Sequence, residues 1–226
     1  CRSLETSCVG GAIYIDFKQA VPAIVIKDCT FENTVSNNVN KGNAISILQS
    51  AGNHKITIEN CHFSNCGTNG FVVFAPIYEL VVIDSSISFT EKTNGNSCGG
   101  ISVQNCQTCQ IENVRFVNSN TNPSLSIVQS SNSGGSLQVN YCTFDGWLGT
   151  DNKCFDISLG SATFSFNHNI MRNMVGTGPN NYFGSINCNS KISTLEFNNM
   201  TFSDNQCKSL YSGGIGLTIE GINKLS

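Results

Sequence analysis

Chemistry in this chain would have to come from a short set of side chains. Glu59 and Glu112 close equivalent phrases, Lys55-Ile-Thr-Ile-Glu59 and Thr108-Cys-Gln-Ile-Glu112. Two facing carboxylates are the equipment of glycoside hydrolysis, one giving a proton while the other activates water or attacks. The imidazole bases available are His54, His62 and His168. A histidine base needs a nucleophile and an orienting acid, and no phrase links any of the three to such partners, so a structural or surface role is expected. Cys106-Gln-Thr-Cys109 has the spacing of a redox pair or of half a zinc site. Zinc would want a second ligand pair at comparable spacing, and Cys61-x4-Cys66 is a poor one. Asn199-Met-Thr201 is a regular glycosylation sequon, and Asn96-Ser-Cys98 is a rarer acceptor form.

What must position these groups is a phrase that recurs seven times: apolar, any, apolar, any, turn residue, small residue, any, bulky apolar. It reads Ile24 to Phe31, Ile56 to Phe63, Leu80 to Ile87, Cys109 to Phe116, Leu137 to Phe144, Phe164 to Met171 and Leu195 to Phe202. The starts are 32, 24, 29, 28, 27 and 31 residues apart, the range of solenoid repeats. Period-two alternation buries one face of each strand. The turn column, Asp28, Asn60, Asp84, Asn113, Tyr141, His168 and Asn199, favours residues that tolerate the left-handed backbone of a sharp corner, and stacked amides there can hydrogen-bond along the column. Five of the 14 Phe residues fall in the bulky column, a structural use.

A looser strand phrase lies between successive copies, as in Ile13/Ile15, Ile45/Ile47, Val72/Phe74, Ile101/Val103, Leu125/Ile127 and Phe155/Ile157, read here as inward pairs. Return connections such as 33–43 and 90–99 are rich in Asn, Gly, Ser and Thr, which is loop chemistry. At about 4.8 Å between strands, seven to eight coils make a rod on the order of 35 Å long. Glu59 and Glu112 then lie roughly 9.6 Å apart, near the upper limit for an inverting pair. Ile83 falls between them and Lys27 beside Glu59, which favours a solvated salt pair. His62 faces outward beside Phe63, and His168 occupies the corner column. Asn199 also sits at the corner, where the ladder is expected to bury its side chain.

Charged residues make up only 12% and the net charge is −3. A nucleic-acid partner leaves a basic footprint, and no cluster of Lys or Arg exists, so that class is excluded. The longest apolar stretch, 71–83, contains Pro76 and Glu79 and is too short to span a bilayer as a helix. Nothing in the sequence calls for a cofactor or a metal. Twelve cysteines favour an oxidising, secreted setting. Cys29 and Cys61 share a column in adjacent coils, where either a disulfide or stacked free thiols would fit; Cys109 points inward. Cys1, Cys8, Cys66, Cys98, Cys154, Cys188 and Cys207 read as loop residues and better disulfide candidates, as are Cys106 and Cys109 if oxidised. Trp147, Tyr78, Tyr182 and Tyr211 are scattered loop aromatics.

Inward alternation, Asn-bearing corners and an apolar stack together resemble the right-handed, single-stranded parallel β-helix of the pectate-lyase-like superfamily. Gly10-Gly11-Ala12-Ile13 is similar to the GGAI motif of polymorphic outer-membrane-protein repeats, and Phe202-Ser-Asp-Asn205 to their FxxN motif; Phe31-Glu-Asn33, Phe63-Ser-Asn65 and Phe116-Val-Asn118 place Asn one residue early. With Cys-x-Phe-x-Asn, the pattern resembles surface proteins of parasitic protists, trichomonads especially. The resemblance implies an all-β fold over residues 1–226, one domain of about seven to eight coils. Gly213 to Glu220 repeats the opening GGAIYI and begins a coil it cannot complete, so a segment of a longer chain without complete caps is expected. Enzymes of the superfamily set acids on the outer face of the first-type strand. Here no adjacent Asp-Asp pair and no Arg/Lys constellation accompanies Glu59 and Glu112. The expected function is therefore a non-enzymatic structural or adhesive rod, extracellular or on the cell surface. Its loops would bind protein or glycan ligands, and its ends would continue or self-associate. The alternatives are a carbohydrate-active enzyme or carbohydrate-binding module on the helix face, and a component of an intracellular filament.

Overall fold

A computed structural model describes residues 2–3, 11–19, 23–36, 42–49, 53–67, 69–89, 97–118, 123–129, 135–149, 153–160, 163–177, 183–188, 194–207 and 217–220. The chain is an all-β parallel solenoid, with no helix among these residues. Among the described residues every strand pair is parallel, and each strand pairs with its equivalents one repeat away.

Among the described residues sheet I has seven strands, from Ile24–Lys27 and Lys55–Glu59 through Glu79–Ile83, Thr108–Glu112, Ser136–Asn140 and Thr163–Asn167 to Thr194–Asn198. The repeated phrase breaks after the inward pair because its turn residue adopts the left-handed conformation. Asp28, Asn60, Asp84, Asn113, Tyr141, His168 and Asn199 all have φ between 49° and 57°. Three residues beyond that corner form a sheet of their own, sheet II, again seven-stranded, from Thr30–Glu32 to Thr201–Ser203. Sheet III, eight-stranded, holds the looser phrase from Ile13–Phe17 to Leu217–Glu220.

A second corner follows sheet II. Asn33, Asn65, Asn118, Asn173 and Asp204 take φ of 50° to 56°, and Gly146 takes 75°. The Asn that falls one place early in Phe31-Glu-Asn33 and its kin is this corner. Beyond it a short ladder joins Leu148–Gly149, Val175–Gly176 and Gln206–Cys207, and another joins Arg2–Ser3 to Val35–Ser36.

Inside, residues of one kind stack in columns. Phe31 lies over Phe63 with ring centroids 4.8 Å apart, and Phe116 over Phe144 at 5.0 Å. One inward pair is corrected. In sheet III, Val73 and Ala75 stand in register with Ile101 and Val103, so Phe74, set against Ser46 and Ser102, faces out. The run Phe71-Val-Val-Phe74-Ala75 is apolar at every position and carries no alternation to fix its phase. A register shift in the neighbouring strand, between Gly42 and Ile45, moves that phase by one residue. Trp147 is corrected too: it lies 1% exposed, edge-on to Phe183 at 6.2 Å, and is a core residue. Gly184 is required by close approach, since a Cβ there would lie 1.9 Å from Phe155 Cζ.

Candidate functional site

Sheet I brings Glu59, Ile83 and Glu112 into one outer column, in that order, so the two acids stand two strands apart as the spacing predicts. Lys27 is the in-register partner of Glu59, and its ammonium lies 2.6 Å from Glu59 Oε1. That hydrogen bond, with the attraction behind it, raises the lysine above its usual range. Lys55 and Glu79 repeat the device at 2.6 Å. Glu112 accepts from Gln110 Nε2 at 2.7 Å. The pair is therefore a rung-to-rung surface ladder, with an aliphatic side chain where a reacting bond would sit.

The histidines fall in three separate places. His54 is buried and stacks on Phe17 at 4.1 Å. His62 Nδ1 meets Ser86 Oγ across the sheet II ladder. His168, at its corner, stacks on Tyr141 at 4.7 Å. The corner amides do bond along their column: Asn60 Nδ2 donates to Asp28 Oδ1, and Asn113 Nδ2 to Asp84 Oδ1, each at 2.6 Å. Asn199 continues the column, 3.5 Å from His168 Nε2, yet its side chain is exposed rather than buried in the ladder. Asn96 lies outside the described residues, as do Cys1, Cys8, Tyr182 and Tyr211.

Cys29, Cys61, Cys66, Cys98, Cys106 and Cys109 are all free thiols, so the structure gives disulfides at these positions no support. The sulfurs find backbone acceptors instead. Cys61 Sγ donates to the carbonyls of Glu59 and Ile26, Cys66 Sγ to Phe31 O at 3.3 Å, and Cys98 Sγ to Cys66 O at 3.3 Å. Cys66, Cys98, Cys154 and Cys188, expected in loops, are buried. Burial pushes the Cys142 and Cys154 thiols up to about 12, and the Cys106 thiol against Cys109, together with burial, holds Cys109 well above the usual value. A reactive cysteine needs the opposite shift. Among the described residues no cluster of three or more His, Cys, Asp and Glu could hold a metal ion. Among the described residues, the eight buried thiols are expected to resist a neutral-pH thiol reagent in the native protein. Unfolding in denaturant without reductant should release at least the nine free thiols; a titration well short of nine would restore the disulfide reading.

Two charged clusters escaped the sequence. Asp145, on sheet II, accepts from Arg172 Nη2 at 2.8 Å, Arg172 Nε at 3.0 Å and Asn173 Nδ2 at 2.9 Å, and Arg115 lies 3.5 Å away. Partial burial pushes its carboxyl up, but the Asn173 and Arg172 hydrogen bonds and the nearby guanidinium charge outweigh that and hold it below the usual value. The signal was available: Asp145 and Arg172 occupy the same phrase position in adjacent repeats. A depressed carboxyl stabilises the fold fully above the unfolded value and loses that contribution as pH falls through the folded one. Below about pH 4, the native chain should lose roughly 1 kcal/mol that Asp145→Asn lacks, read as a smaller acid-side change in urea midpoint.

On sheet III, Ser185 Oγ accepts from Lys153 Nζ at 2.7 Å and donates to Asp156 Oδ1 at 2.6 Å, with Lys153 and Asp156 3.3 Å apart. A serine–lysine pair acts as nucleophile and base only when the amine is neutral. Here the ammonium is ion-paired to Asp156, so the cluster is a polar tie between adjacent coils. Among the described residues no helix is long and apolar enough to cross a membrane. No family model, curated protein or solved structure matches the chain.

Proposed function

We propose that the chain forms a non-enzymatic, right-handed β-helical rod of the pectate-lyase-like kind, displayed outside the cell as a structural or adhesive element. The observation that carries this reading is the state of the outer acids. Glu59 is held by Lys27 at 2.6 Å, and Ile83 stands between Glu59 and Glu112. The regular parallel ladders supply stiffness, and each coil contacts its neighbours, so surface groups far apart in sequence keep fixed spacing.

The test has two arms. Incubation with polygalacturonate and neutral polysaccharides should yield no shortened products by mass spectrometry; products lost in Glu59→Gln or Glu112→Gln would overturn the reading. Beads coated with the chain should be retained on cultured cells or extracellular matrix, and failure to adhere would remove the adhesive role. A second reading, a rod within an intracellular filament, is favoured by the nine free thiols among the described residues, which suit a reducing compartment. The thiol titration, carried out on protein from its native source, separates the two.

A further inference from the structure

Asn199-Met-Thr201 is the one regular Asn-x-Ser/Thr sequon of the chain, since Asn122-Pro-Ser124 carries proline in its middle place. The fold sets this sequon across a corner of the spiral. Asn199 holds φ of 51°, Met200 packs against the core, and Thr201 opens the strand Thr201–Ser203 of sheet II. Asn199 and Thr201 are both exposed, so amide and hydroxyl stand together on the outside of the rod.

The corner column shows why this amide is available. Asn60 Nδ2 and Asn113 Nδ2 are each held at 2.6 Å against a carboxylate, Asp28 and Asp84, and hydrogen bonds to a charged group are the strong ones. Asn199 Nδ2 has only a 3.5 Å contact with His168 Nε2, at the limit of a hydrogen bond. Its nitrogen is the loosest of the three. Apolar surface borders the same corner: Ile170, in register with Thr201, is 37% exposed, and Tyr141, stacked on His168, is 54% exposed. A bulky substituent on Asn199 has such surface within its reach.

We infer that Asn199 carries an N-linked glycan whose first sugar covers Ile170. The transfer forms a bond from Asn199 Nδ2 to the anomeric carbon of an oligosaccharide carried on a lipid pyrophosphate. The bond from that carbon to the pyrophosphate oxygen breaks, the pyrophosphate leaves with the electron pair, and one amide proton is released. The hydrogen that stays on Nδ2 can still face His168 Nε2, so the corner keeps its contact. A linked glycan is bulky, solubilising and confined to the surface, which an exposed corner accommodates without moving a strand. This inference rests on the reading that places the rod outside the cell, because the transfer belongs to the secretory route.

The test is secretion of the full chain behind a cleavable leader from cultured eukaryotic cells, followed by peptide N-glycosidase in heavy-oxygen water. Treatment should speed the chain on a denaturing gel, and the peptide spanning Asn199 should carry heavy-oxygen aspartate at that position. Thr201→Ala should lose the mobility shift completely, whereas Thr201→Ser should keep it. Asn199→Gln should lose it too, and Thr201→Ala serves if glutamine at the left-handed corner fails to fold. The treated chain should also bind more of a dye that brightens on apolar surface, and Ile170→Ala should remove most of that gain. A secreted chain with no shift, a shift that survives Thr201→Ala, or label on other asparagines alone would each overturn the site. Equal dye signals before and after treatment would overturn the covering of Ile170. Chain recovered outside its native cells but bare at Asn199 would sink the glycan and leave the rod outside. Chain found only in the cytosol of those cells would sink the extracellular reading, whatever the leader-driven chain shows of Asn199.

Discussion

Phe144→Ala should destabilise the protein by about 3–5 kcal/mol, the range for removing a fully buried phenylalanine. Its ring is 0% exposed and is sandwiched within an aromatic column, 5.0 Å from Phe116 and 6.3 Å from both Phe155 and Phe166. Truncation removes the transfer free energy of the ring and leaves a void that parallel ladders on either side prevent from closing. Because each coil is supported by its neighbours, the loss should spread to the coils of Phe116 and Met171. The companion experiment is Phe202→Ala, which deletes the same side chain from the same column where it is 44% exposed; its cost should be under about 1 kcal/mol. Urea denaturation of both variants checks the contrast, and hydrogen exchange shows where protection falls. Equal costs would mean that burial in the column does not set the cost of losing the ring.

Asn169→Ala should cost about 3 kcal/mol, more than its size suggests. The side chain is 0% exposed at the residue after the His168 corner. Its Oδ1 accepts from the Cys142 backbone N–H at 2.8 Å, and its Nδ2 donates to the Val139 carbonyl at 2.8 Å. One side chain thus pairs both a donor and an acceptor that the preceding corner leaves without a ladder partner. Alanine strands both in an apolar interior. Asn205 makes the equivalent two bonds after the second corner, to Met174 N and Met171 O, but is half-buried. Water can replace its amide, so Asn205→Ala should cost roughly 1 kcal/mol. If the two variants melt alike, the burial argument fails.

The corner column was legible in the sequence because local preference and period agreed. Asn and Asp accept the left-handed backbone, and the spacing placed Tyr141 and His168 at the same site despite their poor suitability. The second corner is just as visible, in Phe-x-Asn, although that spacing resembles a displaced family motif. Phe74 was misplaced for a different reason: a strand apolar on both faces gives no phase, and a shift in the adjacent strand decides it. Trp147 reads as a loop aromatic in the sequence, because the ladder at Leu148–Gly149 beside it depends on pairing one repeat away. The state of the thiols is not legible in the sequence, because spacing says nothing of what a sulfur can donate to; here backbone carbonyls near the corners serve. For the candidate site, the Glu59–Ile83–Glu112 order was correct from spacing alone. The Asp145 clamp is legible only when adjacent repeats are aligned, where Asp145 and Arg172 share a phrase position.

Uniform corner torsions have a further consequence. Because Asp84 and Asn113 hold φ of 51° and 52° at equivalent points of successive turns, the backbone arrives at each with the same heading. A cut made at two such points returns the chain to the path it left. Deleting residues 85–113 would join Asp84 to Val114, where Ser85 now stands, and shorten the spiral by one whole turn without misaligning a strand. Length in this architecture is thus a matter of how many interchangeable units are threaded together.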